Sequence, residues 1–250
     1  MNIKEKLLQS ILPGKIVAVQ IGISRTVVVA ETEFGLRGGL AASLSDPCCN
    51  TSVRGAGRLE SLPATELAGY ITSENPTEAA VGMAAINALL PQDPSGWLEG
   101  NAAEYITQAG AGRNVAVVGH FPFVDALRSQ VKNLWVLELK PREDDLPAAA
   151  APQVIPQADM IVITATALIN RTFDSLAALC RPDARLMLVG PSAPLSPLMF
   201  DVGIDFIGGS VVMDPMRTLK GIGQGITLQE LRQSGAVKYI NIQRDASRQG

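Results

Sequence analysis

The sequence predicts an α/β protein in which a doubly wound parallel sheet follows a smaller N-terminal α+β domain. Three observations carry this. NVAVVG, LWVLEL, MIVITA and RLMLVG, starting at residues 114, 134, 160 and 185, are near-continuous apolar runs separated by helical patterns. Strands without polar alternation bury both faces, as in a parallel sheet with helices on either side. Earlier in the chain, KIVAVQIG and SRTVVVAE are two β-branched runs joined through Gly22-Ile23, a hairpin pattern. Between the two regions lies the turn-rich PQDPSGWLEGN of residues 91–101, which places the boundary between residues 1–92 and 93–250.

The elements follow in order. Ile3, Leu7, Leu8 and Ile11 form one apolar stripe, predicting a helix over residues 3–12 that Pro13-Gly14 stops. After the hairpin, FGLRGGLAASL offers a third strand, with Gly38-Gly39 marking a bulge or a close backbone approach. Residues 43–62 read as loop, Thr65 to Tyr70 as a short helix. Asn75-Pro76-Thr77 opens a clear helix running to about Leu90, with proline near the first helical position and Glu78 in the first turn. Beyond residue 101 come the four apolar strands, and VKYINI adds a further one near the end. Pro141 to Pro156, rich in proline and alanine, reads as a loop with one short helical turn.

Composition narrows the function. The 250 residues carry 21 basic and 24 acidic side chains, so a net charge of −3 gives no global attraction to nucleic acid or an anionic membrane. The 47% apolar content excludes intrinsic disorder. The N-terminus lacks the apolar core of a secretory signal, no run is long enough for a membrane span, and three cysteines cannot all pair. A reducing cytoplasm with free thiols is the expectation. Low charge and many small residues leave room for a homodimer. With His120 the only histidine, a site of several histidines is excluded within one chain.

Chemistry-bearing residues gather at strand ends. The first parallel strand ends in Gly119-His120-Phe121-Pro122-Phe123, where Gly119 lets the backbone turn. The loop lacks the spaced glycines of a dinucleotide fingerprint, which disfavours an ordinary NAD(P) site. Glu138, closing the second strand, stands where such folds place the acid that holds a ribose. His120 is placed to ligate a metal or move a proton, or else is a half-buried histidine satisfied by a carbonyl. Phe121 and Phe123 either cover a flat ligand or fill the core.

The third strand runs into Thr164-Ala165-Thr166 and on to Asn170-Arg171-Thr172, hydroxyls and an amide that cap the next helix or bind a polar group. The fourth ends in Gly190-Pro191-Ser192, a rigid loop offering a hydroxyl. Gly208-Gly209-Ser210 implies close approach of a ligand or a helix, and Asp214 is a candidate metal or proton ligand. Cys48 and Cys49 are the one soft-ligand pair, though adjacent thiolates share a tetrahedral site poorly. Cys180 belongs to the core.

VVGHFPF, the Asp-Leu-Pro region, QADMIVITATALINRT and LMLVGPSAPLSPLMFDVGIDFIGG together resemble a family associated with heavy-metal chelation, an uncharacterised group with a Rossmann-like C-terminal domain. Residues 1 to about 90 resemble its companion domain, similar in fold to the N-terminal domain of enolase. The resemblance implies a site in the cleft between the domains, and a metal ion, metal chelate or related small molecule as ligand. It points to His120, Phe121, Thr164, Thr166, Asn170, Gly190, Pro191 and Ser192. Enolase chemistry is not implied, because the barrel that carries it is missing.

Two functions compete with each other. In one, a small molecule or metal chelate lies between the domains, bound by His120, Asn170 and the strand-end loops, with loops near Gly22, Arg25 and Gly35 closing over it. In the other, Gly119 and Glu138 belong to a nucleotide- or S-adenosylmethionine-using enzyme of the Rossmann-like class. A non-catalytic assembly module is the bland third.

Overall fold

The structure is a computed structural model describing residues 3–44 and 52–244. Helix α1 (Ile3–Ser10) leads into three strands, β1 (Gly14–Ile21), β2 (Arg25–Thr32) and β3 (Gly35–Ala42), paired as an antiparallel meander. Two helices cover it, α2 (Ala64–Gly69) and α3 (Pro76–Leu89). The α3 start follows from its cap: the Asn75 side chain accepts hydrogen bonds from the Thr77 and Glu78 N–H groups, and Pro76 sits in the first turn. This helix is apolar on every side and buried almost throughout, as its composition of alanine, glycine, valine and methionine requires.

The second sheet contains β4 (Leu98–Glu99), β5 (Asn114–Val118), β6 (Asn133–Glu138), β7 (Leu146–Pro147), β8 (Met160–Thr164), β9 (Arg185–Val189), β10 (Ile204–Val212) and β11 (Val237–Gln243). Between them lie α4 (Ala102–Gly110), α5 (Val124–Arg128), α6 (Ala151–Val154), α7 (Thr166–Ile169), α8 (Phe173–Ala177), α9 (Pro215–Gly223) and α10 (Leu228–Gln233). The strand order is β4-β11-β10-β9-β8-β5-β6-β7, with β10, β9, β8, β5, β6 and β7 all parallel and β11 and β4 antiparallel. Counting the parallel strands alone gives 3-2-1-4-5-6, the doubly wound order whose switch point lies between β5 and β8. The apolar runs explain this directly. Val115, Val117 and Val162 face α4 and α5, while Ala116, Ile161 and Ile163 face α6, α7 and the front of the molecule.

The nine-residue β10 has no counterpart among the strands expected from sequence, because Gly208 and Gly209 interrupt its apolar signal. Their bare backbones admit neighbours. A Cβ on Gly208 would lie 2.6 Å from Ala102 at the start of α4, so the close approach foreseen there is to a helix. Asp214 caps α9 through the Arg217 N–H at 2.9 Å, which explains its carboxylate without a ligand. The Gly38-Gly39 pair likewise sits where β3 is squeezed between α3 and β10. A Cβ on Gly39 would fall 2.1 Å from the Ala84 carbonyl oxygen, and one on Gly38 would fall 2.6 Å from Val212. Among the described residues, no helix is long and apolar enough to cross a membrane.

Candidate ligand cavity at the switch point

A cavity of about 600 Å³ opens at the carboxyl ends of β5, β6 and β8, beside the switch point. One wall is apolar: Leu137, Leu139, Ala148, Ala149, Ala151 and Pro152 from β6 and the segment leading into α6, with Leu176 and Leu179 from α8 and the turn after it. The polar groups converge opposite. They are His120 and Glu138 on the β5 and β6 ends, and Thr164, Thr166, Asn170, Thr172 and Ser175 around α7 and α8. This size and mix suit a small organic ligand.

Gly119 makes the first corner. It adopts φ of 102°, and a Cβ there would press on Thr164 Cβ at 3.1 Å. The turn brings the His120 N–H to Glu138 Oε1 at 2.7 Å, while Oε2 accepts the Leu139 N–H at 2.9 Å. Glu138 is thereby fixed by two backbone donors, and the outer lone pairs of both oxygens remain.

The His120 ring is held by Asp145. Nδ1 lies 3.2 and 3.1 Å from the two carboxylate oxygens, and the Asp145 side chain is only 1% exposed. Burial raises the Asp145 pKa, but the Arg142 N–H, the His120 hydrogen bond and their positive charge outweigh it and hold the carboxyl below its ordinary value. In the neutral ring, a carboxylate at Nδ1 favours the tautomer with the proton there and the lone pair on Nε2, the arrangement in which an imidazole serves as metal donor or proton acceptor. Phe121 lines the cavity and stacks on Phe123, ring centroids 5.0 Å apart, so Phe123 serves as its backing.

The third corner is built on strain. Arg171 has φ of 65°, the one non-glycine with positive φ among the described residues. It ends α7 in a left-handed turn closed by the Thr172 N–H on the Ala167 carbonyl at 3.0 Å. Asn170 Oδ1 accepts both the Thr172 N–H (3.2 Å) and its hydroxyl (2.7 Å), which presents the amide nitrogen as the remaining donor. Thr164 and Thr166 bond to each other through their hydroxyls at 3.2 Å.

Seven expected site residues therefore share one cavity: Gly119, His120, Phe121, Glu138, Thr164, Thr166 and Asn170. Gly190, Pro191 and Ser192 do not line it. Ser192 is 1% exposed, its Oγ accepts the Ala42 N–H at 2.8 Å and its carbonyl accepts Asn87 Nδ2 at 3.2 Å, so this loop is drawn onto β3 as a structural joint. The expected closing loops are displaced as well. Gly22 packs on Ile222 of α9 and Arg25 Nη1 turns to the Ser24 carbonyl at 2.6 Å, whereas Gly35 lies at the far end of the β2–β3 hairpin, roughly 25 Å of extended chain away.

No described residue of the front region lines the large cavity. The space between the sheets beside Gly38, Asn87, Ala193 and Ser210 is about 20 Å³, room for a single water. Among the described residues, the glycines that let the sheets meet leave little room between them at this point. Cys48 and Cys49 lie outside the described residues. Cys180 packs against the core after α8, its thiol pushed up to about 11 by burial.

Sequence reasoning passed over Asp145 as a functional residue. Its signal was present in the Asp-Leu-Pro stretch, but pairing with His120 depends on β7 lying beside β6, which a two-residue strand does not announce. Ser175 was hidden in the same way by its place on α8.

Two family models match the chain. The model DUF364, described as "Putative heavy-metal chelation", covers residues 101–241. The chain belongs to this family. DUF4213, with the same description, matches residues 4–90. Every residue lining the cavity falls inside the DUF364 match. A DUF364 protein of unknown function from Desulfitobacterium hafniense superposes with a TM-score of 0.82 at 27% identity, covering 97% of this chain and 98% of that one. Another from Pyrococcus horikoshii, at 21% identity over the same shares, shares the fold with a TM-score of 0.83. An uncharacterized protein of Methanocaldococcus jannaschii is 29% identical over 149 residues, which span 57% of this chain and 58% of that protein.

The DUF364 description implies a metal, and the donors in this chain test it. Among the described residues no group of three histidine, cysteine, aspartate or glutamate side chains could hold an ion. Among the described residues, therefore, no donor set holds a bare ion by itself; His120, with the Glu138 carboxylate beside it, is what the cavity offers.

Proposed function

We propose that the protein binds a metal ion already wrapped by a small organic chelator, seated in the switch-point cavity with His120 Nε2 completing its coordination. The observation that carries this reading is the pairing of a roomy, mainly apolar cavity with a single imidazole steered by a buried carboxylate. A preformed chelate needs one protein donor, where a bare ion needs three or four. The apolar wall takes the organic shell, and Asn170, Thr166 and Glu138 orient it by hydrogen bonds.

Protein purified without an affinity tag is analysed for elements and, by native mass spectrometry, for bound organic molecules. A metal and an organic ligand travelling together, both lost in His120→Ala, are expected. A metal without a chelator, or a ligand whose binding ignores His120, overturns the reading.

The nucleotide reading draws support from Glu138 at the end of β6 and from the strand order. It is weakened by the cavity lining, which among the described residues contains no lysine or arginine for phosphates, and by Pro122, which removes an N–H from the loop. Thermal shifts with adenosine nucleotides and S-adenosylmethionine separate the two.

A further inference from the structure

We infer that Glu138 sets the charge of the ligand: the cavity takes a neutral or cationic chelate that carries N–H or O–H donors, and rejects anionic ones. This rests on the proposed chelate reading and names its ligand class.

Among the described residues the lining holds one carboxylate, that of Glu138, and no lysine or arginine. Just behind it stands a second acidic side chain, Asp145, 1% exposed and held against His120 Nδ1. Lys140 and Arg142, next in the chain after Leu139, are not among the residues lining the cavity. Arg142 contributes its backbone N–H and charge to Asp145, and Arg171, beside Asn170, pairs with Glu74 at 3.2 Å on an exposed surface. An anion entering the cavity therefore loses its water beside the Glu138 carboxylate, with no lysine or arginine among the described lining residues to offset it. The penalty is felt over the full cavity, because its apolar wall screens poorly.

Glu138 is also held for recognition. Both oxygens are fixed by backbone N–H groups at 2.7 and 2.9 Å, so the carboxylate cannot swing away, and its outer lone pairs accept amine or hydroxyl donors without rearrangement. The side chain thus selects both charge and donor pattern.

Two nickel chelates of equal denticity test this. Nickel–triethylenetetramine is a cation with N–H donors, nickel–nitrilotriacetate an anion without them, and each leaves coordination positions open for one imidazole. His120 is the only histidine in the sequence, so untagged protein presents a single imidazole, and replacing Cys48 and Cys49 by serine in the reference protein and every variant removes those thiolates as rival nickel donors. By calorimetry, the reference protein is expected to bind the amine chelate at least about tenfold more tightly, the preference shrinking as salt rises.

Glu138→Gln, checked for folding by circular dichroism, is expected to lose most of the preference, and His120→Gln to weaken both chelates alike. Equal or tighter binding of the nitrilotriacetate complex overturns the charge inference while leaving the site in place. So does a preference that survives both Glu138→Gln and high salt. Binding of neither chelate overturns the inference and the chelate reading together.

Discussion

His120 Nδ1 lies within 3.2 Å of both oxygens of Asp145, a residue 25 positions further along the chain that reaches it only because β7 pairs in parallel with β6. The pair joins the first and third parallel strands across the second. It makes the orientation of the histidine a tertiary property, fixed by a buried acid and a short edge strand.

Replacing Asp145 by alanine removes that support and leaves the Arg142 N–H without its acceptor. Urea unfolding is expected to show a loss of about 1–3 kcal/mol. Asp145→Asn, closer in shape, is expected to keep the fold but weaken nickel–triethylenetetramine binding about 10–100-fold, the range seen when an outer-shell partner of a ligating histidine is removed. Unchanged affinity in Asp145→Asn would show that the imidazole needs no steering.

Acid should destabilise the protein through two buried carboxylates. Burial raises the pKa of Glu78, but the Ser73 hydroxyl and the Arg54 N–H and guanidinium outweigh it, so the group stays below its ordinary 4.5; Asp145 stays below 3.8. A carboxyl depressed in the folded state stabilises fully above its unfolded value and loses that contribution as pH falls through the folded one. Urea midpoints are therefore expected to hold steady from neutral pH to about pH 5 and to fall below about 4.5 as both groups protonate. Glu78→Gln should flatten that fall at the cost of lower stability at pH 7. A wild-type curve that stays level to pH 3 would contradict the assignment.

Gly119→Ala tests the first corner of the cavity. Its positive φ and the Thr164 side chain at 3.1 Å predict a loss of about 1–3 kcal/mol in denaturant unfolding, with weaker chelate binding as the His120 loop shifts. Gly39→Ala should be worse, because the new methyl collides with helix backbone at 2.1 Å rather than with a side chain that can turn. Equal losses for the two would be unexpected.

Cys180 should be slow to react. Its thiol is pushed up to about 11 by burial and its Sγ donates to the Leu176 carbonyl at 3.6 Å. With Cys48 and Cys49 replaced by serine, iodoacetamide at pH 8 is expected to label native protein far more slowly than protein in urea, followed by mass spectrometry. Equal rates would show an open thiol.

The fold was legible wherever burial leaves a one-dimensional trace. The four apolar runs became β5, β6, β8 and β9, and Asn75-Pro76 announced α3 through its cap. The seven cavity residues were legible for the same reason, since strand ends at a switch point converge whatever fills the loops. Ser192 lies apart from that cavity, and a serine after a Gly-Pro turn looks alike in sequence whether its hydroxyl meets a ligand or, as here, a backbone N–H. Asp145 was missed because its partner is set by sheet order, and β10 because Gly208 and Gly209 trade apolar signal for the room that α4 and Leu195 occupy.

The burial of α3 on all sides has a consequence for the chain as a whole. One flank of this helix serves the meander and another lies against α7, so residues 1–90 taken alone would show water a stripe of alanines and isoleucine with nothing to shelter it. A protease nick in the turn-rich 91–101 stretch would leave two pieces clasped together, and expressing either piece without the other would yield aggregate. What is written as two consecutive segments is maintained as one hydrophobic interior.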